Sequence, residues 1–419
     1  MATAFTFVFV FFLLLMLGLK FWLASRQIRH VARHAQAVPE LFAERVSLQA
    51  HRKAAAYTVA RQRLAMLDAA VGAALLVALT LLGGVQAIAD RVTTHLGAGL
   101  AGQVGIVAAV ALILAAADLP FQWYRQFRVE ERFGFNRMRP ALFVIDMAKS
   151  LLVTAALGLP LLALVLWLMD AAGAYWWLYA WAAWIAFNAL VLVLYPTVIA
   201  PLFNKFEPLA DSALAARIAA LLERTGFSSR GVFVMDGSRR SAHGNAYFTG
   251  LGRAKRIVFF DTLLQRLQPA EIEAVLAHEL GHFKRRHIAK RLAFSFVASL
   301  VFLALLGWLA EAPWFYEGLG VEPALDRNHN GVALVLFMLV VPVFTFTLAP
   351  LASRISRKHE FEADAFAVAH TRSEDLASAL VKLYEDNAAT LTPDPVHSAF
   401  YDSHPPAAIR IARLQQAAS

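Results

Sequence analysis

Hydrophobic residues in this chain gather into long unbroken runs, separated by stretches dense in charged and polar positions. Seven runs reach the roughly 20 apolar residues that a helix needs to cross a hydrocarbon core. They fall at about 5–24, 65–87, 98–118, 150–169, 175–199, 292–312 and 332–352. Residues 200–291 and 353–419 differ in kind, mixing helical and strand periods with scattered charge, as a folded extramembrane unit does. The pattern predicts a mostly α, polytopic membrane protein in four stretches. Residues 1–199 carry five transmembrane helices with their inner loops, and 200–291 form the first part of an extramembrane domain. Residues 292–352 carry helices six and seven with an outer loop, and 353–419 complete the domain.

Between the runs, finer signals appear. Residues 25–64 are basic with a helical pattern, and 119–148 form a polar and aromatic loop between two spans. The mixed segment reads as a helix at 212–225, then strands at 232–235, around 245–249 and at 256–261, which together make a small β-sheet. Gly250-Leu251-Gly252 fits the turn of a hairpin between the last two strands. Pro269 opens a further helix at a favourable first-turn position. That helix is expected to run on into span six, and the helix at 353–370 to continue from span seven.

Charge sets the topology. The first run has no basic residues before it, while Arg26, Arg29 and Arg33 follow it, so it reads as a retained helix with its N-terminus outside. With seven spans, nearly all of the 39 Lys and Arg then lie on the cytoplasmic side, leaving Arg91 and Arg327 in outer loops. The net charge of +9 is thereby explained as topogenic bias, and no nucleic-acid motif accompanies it. The chain has no cysteine, which excludes disulfides, thiolate metal sites and a Cys nucleophile. Any metal must be held by His and carboxylates.

The chemistry concentrates in Ala277-His278-Glu279-Leu280-Gly281-His282, an H-E-x-x-H motif. Residues four apart share a helical face, so His278 and His282 can present two imidazoles to one zinc ion, with Glu279 beside them to carry a proton. A catalytic zinc needs a third protein ligand and an open position. Residues 353–364 offer Glu360, Glu362 and Asp364. Glu360 and Asp364 lie on one face, so either can bind metal while the other orients a ligand histidine. Glu362 points elsewhere and reads as solvated, and His287 and His359, among Arg and Lys, read as interfacial surface. Lys284, Arg285 and Arg286 directly after the motif argue against an intramembrane metalloprotease of the site-2 type, whose motif lies deep in a span.

Further residues carry a family likeness. H-E-L-G-H followed by Glu360-Phe361-Glu362-Ala363-Asp364 resembles the M48 zinc peptidases, in particular the Ste24-type CAAX prenyl proteases. The likeness extends over Glu130-Glu131-Arg132-Phe133-Gly134-Phe135-Asn136, residues 199–206, Gly237-Ser238-Arg239-Arg240-Ser241, Asn245-Ala246-Tyr247-Phe248, residues 256–264 and Ser403-His404-Pro405-Pro406 with Arg410. It implies an integral-membrane endopeptidase with one zinc per chain, bound by His278, His282 and Glu360. Asp364 then supports a ligand, and Glu279 is the general base for the attacking water. Asn245 holds the substrate backbone by β-augmentation, His404 stabilises the oxyanion, and Arg410 lies close to the metal on the substrate side.

The resemblance further implies a water-filled chamber among the seven helices. It implies peptide or protein substrates, prenylated C-a-a-X proteins among them, a membrane-lipid environment and a monomer. Residues 415–419 carry no retrieval signal, and the Ala- and Arg-rich composition suggests a bacterial inner membrane rather than the ER; there the substrates would be membrane or misfolded proteins. The competing reading from another class is a non-catalytic membrane chamber for lipid handling or protein quality control. Glu279 counts against it, since a scaffold needs no general base.

Overall fold

The computed structural model describes residues 1–249, 256–323 and 329–416. Among them, seven helices are long and apolar enough to cross a membrane. The N-terminal part runs through α1 (Ala2–His34), α2 (Leu48–Leu79), α3 (Gly84–Leu96), α4 (Leu100–Tyr124), α5 (Pro140–Ala171), α6 (Trp176–Leu194) and the short α7 (Ala200–Phe203). The second apolar run does not make one helix to residue 87. α2 stops at Leu79, and Gly83 in the left-handed region (φ +76°) turns the chain into α3, a separate helix. π-helical turns at Arg125–Glu130 and Tyr195–Ile199 extend α4 and α6.

The mixed segment begins with β1 (Phe206–Pro208), α8 (Ser212–Arg224), β2 (Val232–Met235), β3 (Ala246–Thr249) and β4 (Arg256–Phe260). Asp211 starts α8 by accepting hydrogen bonds from the Ala213 and Leu214 amides. The four strands form one sheet in the order β1-β2-β4-β3, with β2 and β4 parallel and both outer pairs antiparallel. Among the described residues β3 is thus an edge strand. The antiparallel pairing of β3 with β4 fits a hairpin, whose turn at 250–252 and flanking residues lie outside the described residues, as does Arg327.

Next come α9 (Asp261–Arg266) and α10 (Pro269–Lys284), the latter opened by Pro269 and by Glu271, whose carboxylate accepts from the Gln268 amide at 2.7 Å. α11 (His287–Leu309), α12 (Pro313–Glu317) and α13 (Asn330–Thr345) follow. α10 does not run on into α11: Arg286 sits at φ +55° and breaks the helix between them. α13 does pass almost unbroken, through one 3₁₀ turn at Phe346–Leu348, into α14 (Ala349–His370). The chain closes with α15 (Ser373–Asp386), α16 (Pro395–Tyr401) and α17 (Ala407–Gln416).

Two cores result. One joins the spans, around Phe9, Leu79, Ile106, Leu166, Tyr316 and Leu336. The other packs the sheet on α8, α10, α15 and α17, around Ile218, Phe259, Leu276, Leu380 and Ile411. The spans also carry fully apolar exposed faces, with Phe7, Leu152, Phe294 and Trp308 outward, as a hydrocarbon surrounding allows. The α5 and α6–α7 spans are sparsely buried, so neither lies in a packed bundle centre.

Candidate metal centre

The site is built where α10 crosses α14. Residues 271–281 of α10 are buried with one exception, Glu279, which is partly exposed between His278 and His282. It is thus the one residue of this stretch open to solvent, while the rest is packed. Gly281 lets the two helices meet. A Cβ there would come within 2.9 Å of Ala363 Cα and 3.0 Å of its carbonyl oxygen.

Three side chains converge across this contact. His278 Nε2 and His282 Nε2 face each other at 3.2 Å. The Glu360 carboxylate straddles them, with Oε1 3.3 Å from His282 Nε2 and Oε2 3.5 Å from His278 Nε2. A tetrahedral zinc with bonds of about 2.0–2.1 Å has ligand–ligand edges of roughly 3.3 Å, so these separations suit a single ion. Glu360 Oε2 is also buried without an aligned hydrogen bond, which leaves a lone pair for a cation. The donor set of two nitrogens and one oxygen is that of a catalytic zinc with an open position.

Spacing left Glu360 and Asp364 equivalent, and the structure separates them. Asp364 Oδ1 lies 2.8 Å from His278 Nδ1, on the far side of the ring from the cluster. It holds that nitrogen protonated and turns Nε2 toward the site. Asp364 is itself gripped by Arg410, whose Nε donates to Oδ2 at 2.9 Å and Nη2 to Oδ1 at 2.5 Å. Burial alone would push the His278 imidazolium down, but the Asp364 and Glu360 carboxylates outweigh it and hold the group up to about 9.

The remaining residues fall into place unevenly. His404 Nδ1 is 2.6 Å from Glu360 Oε2, and the side chain is 62% exposed, so it borders both the cluster and solvent. It follows α16, whose C-terminal carbonyls at Ser398, Ala399 and Asp402 accept hydrogen bonds from Arg357, one turn before Glu360. Asn245 is exposed at the start of edge strand β3. Its carbonyl accepts from the Phe260 amide at 2.9 Å, and its own Oδ1 accepts from the Ala246 amide at 2.8 Å. Arg410 is buried, and its guanidinium is committed to Asp364, with Nη1 3.6 Å from Glu360 Oε2. The structure therefore places it behind the ligands, on Asp364.

One side chain expected to be surface is not. His287 is buried, 3.1 Å from His282 and 2.9 Å from Glu362, and its ring stacks on His359. No sequence signal announced this, because the break at Arg286 carries neither Gly nor Pro.

Comparison with known proteins agrees with this geometry. Residues 27–205 match the family profile described as CAAX prenyl protease N-terminal, five membrane helices, and residues 208–418 match Peptidase family M48. The chain belongs to peptidase family M48. Among M48 relatives, it is 37% identical over 320 residues to the CAAX prenyl protease 1 homolog of Oryza sativa subsp. japonica, covering 75% of this chain and 73% of that one. It is 35% identical over 332 residues to CAAX prenyl protease 1 of Saccharomyces cerevisiae, covering 76% and 73%. The crystal structure of S. mikatae Ste24p superposes with a TM-score of 0.91 at 30% identity, over 98% of this chain and 99% of that one. This M48 protein is thus an integral-membrane zinc metalloprotease with a peptide or protein substrate, and a non-catalytic chamber is not favoured.

Proposed function

We propose that this M48 protein is an endopeptidase that cleaves near the C-terminus of membrane-associated proteins, prenylated C-a-a-X chains among them. The convergence of His278, His282 and Glu360 beside the accessible Glu279 carries this reading. The names of its relatives supply the substrate class. When bound by these three residues, zinc supplies Lewis acidity and lowers the pKa of water.

The chain's own groups do the rest. Glu279 takes a proton as the water oxygen bonds to the scissile carbonyl carbon, then delivers it to the amine as the C–N bond breaks. Exposed His404, at the rim of the cluster, donates to the carbonyl oxygen as charge develops there. Asp364 orients His278, and Arg410 orients Asp364. The free edge of β3, from Asn245 onward, pairs with extended substrate backbone. The peptidase unit is assembled from 200–291 and 353–419, with the membrane helices of 292–352 between them. It faces the cytoplasm, as the distribution of Lys and Arg favours. The sparsely buried α5 and α6–α7 spans suit a wall around a water-filled chamber. The protein acts as a monomer, without nucleic acid, in a bacterial inner membrane.

The test uses purified protein in detergent and a farnesylated C-a-a-X peptide, with tripeptide release followed by mass spectrometry. Release is expected from wild type and is lost with chelator or with Glu279→Gln. A zinc-loaded wild type that cleaves neither this peptide nor its unprenylated form overturns the proposal.

A further inference from the structure

On a continuous helix His287 could not meet His282. Five residues at about 100° each would leave the two roughly 140° apart around the axis. The break at Arg286, in the left-handed region at φ +55°, folds the chain back so that His287 opens α11 against the end of α10. There its side chain is 1% exposed, its Nδ1 lies 3.1 Å from His282 Nδ1, and its Nε2 lies 2.9 Å from Glu362 Oε2. Its ring stacks on His359 with centroids 4.0 Å apart and planes inclined by 12°.

The donors and acceptors along this chain have one consistent assignment. An ionised Glu362 only accepts, so His287 Nε2 carries a hydrogen toward it. The neutral His287 ring then offers a lone pair at Nδ1, which accepts from His282 Nδ1–H. That leaves the lone pair of His282 on Nε2, the nitrogen facing His278 and Glu360. Glu362 cannot serve His282 directly, because it lies about 200° around α14 from Glu360. A bridging imidazole closes the gap.

We propose that His287, anchored by Glu362, is a positioning residue that fixes the tautomer and orientation of His282 as a metal ligand. The inference rests on the reading of His282 as a ligand. It gives His282 the counterpart of the Asp364–Arg410 support behind His278, so that Glu360, Glu362 and Asp364 of one helix all serve one site.

The experiment measures zinc affinity by chelator competition on the full-length protein in detergent, together with the visible spectrum of the cobalt-substituted form. His287→Leu removes both polar atoms and is expected to weaken zinc binding about 10–100-fold, the usual cost of losing such a partner. It should also shift the cobalt bands, while the thermal midpoint of the metal-free form stays near wild type. His287→Gln, whose amide can accept from His282 and donate to Glu362, is expected to recover most of the affinity. Wild-type affinity in His287→Leu, or equal losses in the Leu and Gln variants, overturns the proposal. Should His287→Leu fail to fold, Glu362→Ala probes the far end and is expected to lose affinity in the same direction; no loss there overturns it as well. The underlying reading fails differently: wild type would lack stoichiometric zinc, or His282→Ala would bind it normally.

Discussion

Gly281 and Ala363 are in backbone contact, and the metal centre depends on that closeness. The atoms a Cβ at 281 would meet are the Cα and carbonyl oxygen of Ala363, at 2.9 and 3.0 Å, with Phe366 Cβ also at 3.0 Å. None is the end of a flexible side chain, so a methyl group forces α10 and α14 apart. Gly281→Ala is expected to cost about 1–3 kcal/mol from overpacking. It also separates Glu360 from the two histidines, so zinc content falls more than the loss of stability alone would produce. Thermal unfolding in detergent and metal analysis check both, and a variant with wild-type zinc content sinks the argument.

Zinc uptake should be coupled to protons. His278 is held up to about 9 against an ordinary value of 6.5, because the stabilisation by Asp364 and Glu360 exceeds the penalty of its burial. In the metal-free protein this raised value stabilises the fold fully below about pH 6.5, and the contribution is lost as pH rises through about 9. Zinc takes the neutral ring, so binding at pH 7 releases the His278 proton, and apparent affinity climbs with pH up to about 9. Calorimetric titrations in buffers of different ionisation enthalpy read the proton count. An affinity that is flat from pH 7 to 9 contradicts the expectation.

Arg410 and Asp364 should behave as one unit. Both are buried, and they share two hydrogen bonds. Removing one partner leaves an uncompensated buried charge, a loss of about 3–5 kcal/mol. Arg410→Met and Asp364→Asn are each expected to destabilise strongly, and the double variant is expected to lose much less than their sum. Additive losses in a double-mutant cycle would show that the pair is not coupled.

The edge of β3 can be tested from the substrate side. The Asn245 carbonyl bonds to Phe260, so alternation along an antiparallel ladder turns the Ala246 and Phe248 peptide groups toward the free edge. Asn245 Oδ1 already takes the Ala246 amide, which leaves the Phe248 amide for a substrate carbonyl and the Ala246 and Phe248 carbonyls to accept from substrate amides. Substrate peptides N-methylated at alternate backbone positions are expected to lose about 2–10-fold in KM, the worth of one hydrogen bond. The positions between them should be indifferent. An equal effect at every position argues against strand pairing.

Much of this molecule was legible in one dimension. Spans of about 20 apolar residues need no partner to be recognised, because the bilayer alone demands them. The strands at 232–235 and 256–260 and the helix at 212–224 follow from alternation and from caps such as Asp211. β1 escaped notice because Phe206–Pro208 is three residues long and ends in proline, and α9 because six residues carry no periodicity. The glycines at 83 and 84 that divide α2 from α3 were visible but lay inside an otherwise apolar run.

The sequence by itself determined the membrane-spanning architecture, the placement of His278, Glu279 and His282 on one helix, and the shortlist of carboxylates. These depend on local period and on solvent, which each segment meets without its neighbours. Helical spacing left Glu360 and Asp364 equivalent and only the family resemblance chose between them; the tertiary structure is what puts Glu360 in front of the histidines and Asp364 behind one of them. It likewise decided that Arg410 is spent on Asp364, and that the turn at Arg286 brings His287 and Glu362 to His282. Two carboxylates on the same face of a helix are equivalent until a second helix arrives. A helix break without glycine or proline is set by the packing on either side of it.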